Sequence, residues 1–260
     1  GLGSDGTVTV SGAGSAWDAG SLGVGVFGDG ELVIANDGLL TTLEAGIGVG
    51  PDSVATAEVS NGGVWTNTDA MAIGIIGQGT LTIASGGQVT TLDGYIGGMD
   101  PEAPNVDATA FLGDDPLDGT GTVQVTGAGS RWDVSGDLYV GYSGTGTLDV
   151  NEGGVVTSDY AAVGADEGST GTAAVTGAGS QWAVSQGLAV GAFGDGDLTI
   201  SDGGEVYASE VYIGGFDTNA VDDDFDGIPA GTGTVTVTGE DSYLQAGGSW
   251  TLYVGYSGDG

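Results

Sequence analysis

The sequence predicts an all-β fold, a right-handed parallel β-helix (β-solenoid) of about nine coils of ~25 residues, and three observations predict it. One phrase recurs along the chain. Within each recurrence apolar and polar residues alternate, as Val8 and Val10 do against Thr7 and Thr9, or Leu148 and Val150 against Thr147 and Asp149. That period of two marks a strand with one buried face. Between the short runs stand glycines, 57 of 260 residues, where the average is ~7%. Glycine supplies positive φ and close backbone approach at bends. Runs this short, broken this often, leave no room for helices.

The coils follow in order. A first phrase reads GTVTVSGAGSAW from Gly6, GTVQVTGAGSRW from Gly121, GTAAVTGAGSQW from Gly171 and, altered, GTVTVTGEDSYL from Gly233. A second reads GELVIANDGLLTTLEAGIG from Gly30, GTLTIASGGQVTTLDGYIG from Gly79, GTLDVNEGGVVTSDYAAVG from Gly146 and GDLTISDGGEVYASEVYIG from Gly196. A variant coil begins near Ala57. Both phrases run through three short strands and two bends to a hydrophobic-Gly end, so two coils make one unit of ~50 residues. No coil buries its own apolar face; the neighbours above and below bury it. Stacking at ~4.8 Å gives a rod of ~43 Å. The right-handed sense comes from the handedness of parallel crossovers.

Composition narrows the function. Acidic residues number 36 against one basic residue, Arg131, for a formal charge of −35. Nucleic acid is excluded as a partner, because phosphate contacts need clustered Lys and Arg. Anionic membrane surfaces repel such a chain, and no apolar run approaches the ~18 residues of a spanning helix, so direct membrane insertion is not expected. Cysteine is absent, so stability comes from packing and not from disulfides. With no initiator Met and both ends inside the repeat, the chain is expected to be a portion of a longer protein. It reads as one solenoid over 1–260 with insertions at 99–118 and 216–230.

The pattern VTGAGSxW…LxVGxxGxGxLxIxxGGxV…IG, present in several copies, resembles the repeat of bacterial autotransporter (type V secretion) passengers, met also in PEP-CTERM-anchored surface proteins. The resemblance implies an exported β-helical protein of the bacterial cell surface, used for adhesion, matrix or display. It brings no catalytic motif and hence no site residues.

The strongest local signal is DTNAVDDDFDGIPAGTG from Asp217. Asp222, Asp224 and Asp226, followed by Gly227, fit the first half of a D-x-D-x-D-G calcium loop, with Asp217 as a weaker further ligand. Gly233 stands where the twelfth-position bidentate Glu belongs. A calcium site and a solvated acidic loop are the two readings. Both insertions begin at the same point of the repeat, after YIGGFD and YIGGMD, and so leave one corner of the rod about four coils, or ~19 Å, apart. Asp52, Asp166 and Glu167 fall at that corner too. The resulting acidic edge is either a surface for divalent cations or a partner, or the permissive face on which solenoid insertions collect.

Trp17, Trp132 and Trp182 share a frame position on alternate coils, with Trp65 at the matching place. They are expected to pack internally, each ring on its neighbour's equivalent, in preference to forming a sugar-binding ladder. Trp250 lies off this ladder. The pairs Thr7 and Thr9, Thr80 and Thr82, and Thr234 and Thr236 would suit an ice-binding face. Glu58, Gln124, Asp149, Val33 and Ala174 interrupt the array, and ordinary strand preference for Thr explains it better. A polysaccharide lyase would need a basic proton abstractor. Arg131 alone is available, at a position where sister coils carry Ala16 and Gln181, and the carboxylates are expected in turns.

The expected function is therefore non-catalytic: an extracellular or cell-surface stalk, adhesin or matrix filament, acidic and bridged by calcium, self-associating or stacked on neighbouring repeats. The rival is a display module whose acidic insertions bind a glycan or surface receptor.

Overall fold

The computed structural model describes residues 4–100, 117–215, 231–247 and 252–255. They form nine coils, spanning 6–24, 30–47, 54–73, 78–96, 120–140, 145–163, 170–190, 195–213 and 232–254. Each coil has three strands, and no helix occurs among the described residues. Coil 1 shows the plan, with β1 (Gly6–Ser11), β2 (Ala16–Asp18) and β3 (Ser21–Val24). First strands of all coils pair in sheet A, second strands in sheet B and third strands in sheet C. Each sheet has nine strands, every neighbour parallel. The result is the predicted right-handed solenoid.

The hydrophobic-Gly end of each coil explains one glycine column fully. Gly141 has φ +72, and its counterparts Gly25, Gly48, Gly74, Gly97, Gly164, Gly191, Gly214 and Gly255 lie between +67 and +74. A Cβ on Gly141 would stand 2.3 Å from the Thr170 carbonyl oxygen of coil 7. Only Gly meets both demands, the left-handed backbone and the close approach.

The core alternates from coil to coil, which is why the sequence unit is two coils long. Along sheet B one inward column reads Trp17, Leu40, Trp65, Val89, Trp132, Val156, Trp182, Val206 and Leu244. On sheet A the facing column answers with Ala57, Val123 and Ala173 in Trp-bearing coils, and Leu32, Leu81, Leu148 and Leu198 in the others. Sheet C places Leu22, Met71, Leu138 and Leu188 in the Trp coils, with Ala45, Gly94, Ala161 and Val211 between them. Large and small side chains thus interlock at the density of a folded interior. Gly94 shows the need: a Cβ there would lie 3.0 Å from Cζ2 of Trp132 in the next coil.

Three expectations are corrected. The variant coil takes its frame from Ala55, not Ala57, since Ala55 pairs with Gly30 and Gly79. The tryptophans do pack internally, and Trp65, Trp132 and Trp182 are fully buried. Their rings, however, do not lie on one another, because an aliphatic coil separates each pair. Carboxylates are not confined to turns: Glu31, Glu58, Asp133, Asp149 and Glu205 occupy outward strand positions, on the faces of the sheets turned away from the core.

Candidate functional site

The two long connections join sheet C to sheet A at one corner of the rod. One runs from Ile96, the end of β12 (Gly94–Ile96), to Thr120, the start of β13 (Thr120–Thr126). The other runs from Ile213 at the end of β24 (Glu210–Ile213) to Thr232 at the start of β25 (Thr232–Thr238). They lie four coils apart, as the sequence predicts, or ~19 Å at the strand spacing. Asp217, Asp222, Asp224, Asp226 and Trp250 lie outside the described residues, as does most of the insertion at 99–118.

The rest of the corner is acidic and exposed. Asp29, Asp52, Asp118, Asp166, Glu167 and Asp195 project there, while the turns after coils 3 and 5 carry no carboxylate. Two of them serve the backbone: Asp29 Oδ1 accepts from Val54 N at 2.9 Å, and Asp166 Oδ1 from Glu167 N at 2.9 Å. Among the described residues no three carboxylates converge as a metal site would require. Here the corner is a charged edge and not a cage.

A second acidic line occupies the junction of sheets B and C. Asp93 Oδ1 accepts from Asp137 N at 2.9 Å, and Asp137 also accepts from the Tyr139 hydroxyl at 3.1 Å. Burial raises the Asp137 carboxyl above its ordinary range. The Tyr139 hydrogen bond opposes that shift, and the charges of Asp93 and Asp159 add to it. Glu44 is raised likewise, by burial and then by Asp69. Arg131 lies between Gln88 and Val155 on the face of sheet B, with Nη2 2.5 Å and Nε 2.6 Å from the Asp133 carboxylate. This fork ties the guanidinium to a carboxylate on its own strand.

Sheet A carries a feature the sequence reading missed. The interrupted array belongs to one outward column, which includes Thr9, Val33, Glu58, Gln124, Asp149 and Ala174. The column beside it reads Thr7, Glu31, Thr56, Thr80, Thr122, Thr147, Thr172, Asp197 and Thr234. Counting by strand register instead of by phrase would have shown this near-continuous threonine row.

A second apolar cluster lies outside the rod, on sheet C. Ala70, Ala72, Ile75, Tyr95 and Met99 are buried there, with Val49, Ile76, Leu117, Tyr139 and Tyr142 against them. Met99 and Leu117 are the two feet of the first insertion, and no periodicity in the sequence marks them as core.

A stretch of 63 residues, 24% of the chain, is 43% identical to a protein described as the Adhesin BmaC autotransporter of Brucella suis biovar 1 (strain 1330). The chain spans about 2% of that protein's length. No family model matches the chain, and no solved structure does.

Proposed function

We propose that this chain is a rod segment of a bacterial cell-surface adhesin of the autotransporter kind, with a mechanical and non-catalytic role. The observation that carries the reading is the unbroken core through nine coils, three ladders of parallel strands around one file of interlocked side chains. Such a rod is stiff, and its stability is distributed between neighbours. The likeness to an autotransporter adhesin over a quarter of the chain supports the surface location. The absence of His, Cys and Lys from the sequence, with Arg131 tied to Asp133, supports a role without catalysis.

In this reading the acidic corner keeps rods apart at low ionic strength, and calcium bridges them through the carboxylates of the corner and of Asp217, Asp222, Asp224 and Asp226. The two insertions, on one edge, present the segments that meet a glycan or receptor. Two measurements test these parts. Cells displaying the chain on an unrelated anchor should adhere to glycan-coated or cell-covered surfaces above cells with the anchor alone; no gain overturns adhesion by this segment. The scattering mass of the purified chain should grow in millimolar Ca²⁺ and not in Mg²⁺ or EDTA; equal mass in all three overturns calcium bridging.

A further inference from the structure

The outward column of sheet C separates the coils into two kinds. Where neither the coil nor the coil beneath it bears an insertion, the column carries Gly23, Gly46, Ala72, Ala162 and Ala189. Where an insertion intervenes, the coil that carries it and the coil above both carry tyrosine: Tyr95 and Tyr139 at the first, Tyr212 and Tyr253 at the second. The rings are stacked in both places, with centroids 5.2 Å apart at 18° and 4.8 Å apart at 11°. Tyr142 closes edge-on over the first pair.

The backbone repeats the correspondence. Each insertion leaves through a second glycine of positive φ, Gly98 at +83 and Gly215 at +94. Short turns have a side chain there, such as Ile75 or Ala165. The two feet of each insertion are bonded to the coil beneath. Gly98 N donates to Gly74 O and Gly119 N to Ile75 O; Gly215 N donates to Gly191 O and Gly231 N to Ala192 O. At the first insertion the coil above also holds the base, through Thr145 N to Gly119 O and the Ser143 hydroxyl to Leu117 O. Closing a long loop costs little more than closing a short one. Anchoring its base is the harder demand, because backbone groups at the feet must still be satisfied and apolar surface still covered.

We infer that the rod contains two equivalent loop-bearing stations, each a stacked tyrosine pair over a double-glycine exit, built to carry an interchangeable segment without disturbing the solenoid. The stations account for the common edge of the insertions without appeal to general tolerance of the corner. The inference concerns the carrier alone, so it stands whether or not the carried segments adhere to anything.

Thermal unfolding followed by circular dichroism tests it. Replacing 101–116 by a four-residue Gly-Ser linker should leave the midpoint within ~2 °C, as should replacing 216–230 by a copy of 101–116. The same copy placed between Asp166 and Glu167, a short corner framed by Ala162 and Ala189, should lower the midpoint by at least ~5 °C. The double substitution Tyr95→Ala, Tyr139→Ala should lower the midpoint at least about twice as far in the full chain as in the linker chain. Equal tolerance at the Asp166 corner, or equal loss from the tyrosine substitutions with and without the insertion, overturns the stations. The insertion arm changes no native side chain, so it decides the matter even if the tyrosine variant fails to fold.

Discussion

Coils 2 to 4 and coils 5 to 8 fill the same inward column of sheet B in two chemically opposite ways. Two residues beyond the Trp column, the first group carries Thr42, Asn67 and Thr91, and the second Val134, Ser158, Val184 and Ala208. In the first group a buried network is closed. Asn67 Nδ2 donates to the carbonyls of Asp69 and Ala70 and to Thr91 Oγ1, and its Oδ1 accepts from Thr42 Oγ1 at 2.7 Å. Thr42 Oγ1 in turn accepts from Trp65 Nε1 at 2.8 Å. In the second group Trp132 Nε1, Trp182 Nε1 and Ser158 Oγ are buried without a hydrogen-bond partner. One fold thus accommodates both a satisfied polar spine and an aliphatic one with orphans. The backbone ladders set the register in both halves; the side chains decide only how firmly each coil is held.

The comparison is broken most severely at Asn67. Asn67→Leu leaves the buried Thr42 hydroxyl without its acceptor and takes one donor each from the Asp69 and Ala70 carbonyls and from Thr91 Oγ1, and should cost about 3 kcal/mol, read as the shift in urea midpoint at constant slope. A cost near that of an aliphatic truncation would mean that the network contributes nothing beyond packing. Next in size, Trp65→Phe should cost about 1 kcal/mol more than Trp182→Phe. Both lose similar volume, but only Trp65 loses a hydrogen bond. Equal losses would show that the orphaned indole of Trp182 finds a partner in solution. Ser158→Ala should be neutral or stabilising by up to about 1 kcal/mol, since it removes a buried hydroxyl that has no partner.

The smallest effect lies on the outer face where the halves meet, between Asp93, Asp137 and Asp159. A carboxyl raised in the folded state binds protons there more readily than in the unfolded chain. Its contribution to stability is complete below the unfolded value and disappears as pH rises through the folded one. The melting temperature should therefore rise as pH falls from neutral towards the ordinary carboxylate range, and Asp137→Asn should flatten that slope. An unchanged slope would place the effect on Glu44 and Asp149, which are raised too.

Much of this architecture could be read from the sequence, because a solenoid repeats its own rules. The Gly-Thr starts gave the ladder of sheet A, the hydrophobic-Gly ends gave the corner, and the spacing of Trp17, Trp132 and Trp182 gave the core. What escaped was whatever depends on register across a gap. Tyr95 and Tyr139 are neighbours only because the backbone closes over the insertion between them. Coil 3, framed two residues late, hid the place of Asn67 opposite Thr42. The acidic corner was legible as an edge, since insertions and short turns share a position in the phrase. That its described carboxylates stay apart was not legible, because a sequence gives spacing along the chain and not convergence.

The alternation of tryptophan and aliphatic coils has a genetic corollary. A recombination that removed one aliphatic coil would bring two tryptophans into adjacent coils and overpack the interior, whereas loss of coil 5 would set Val89 on Val156 and Gly94 on Ala161 and leave it underfilled. An exchange of two coils restores every volume relation. Tandem duplication of such a gene can therefore lengthen the rod only in even steps, and its viable unit of growth is ~50 residues, although the backbone would accept ~25.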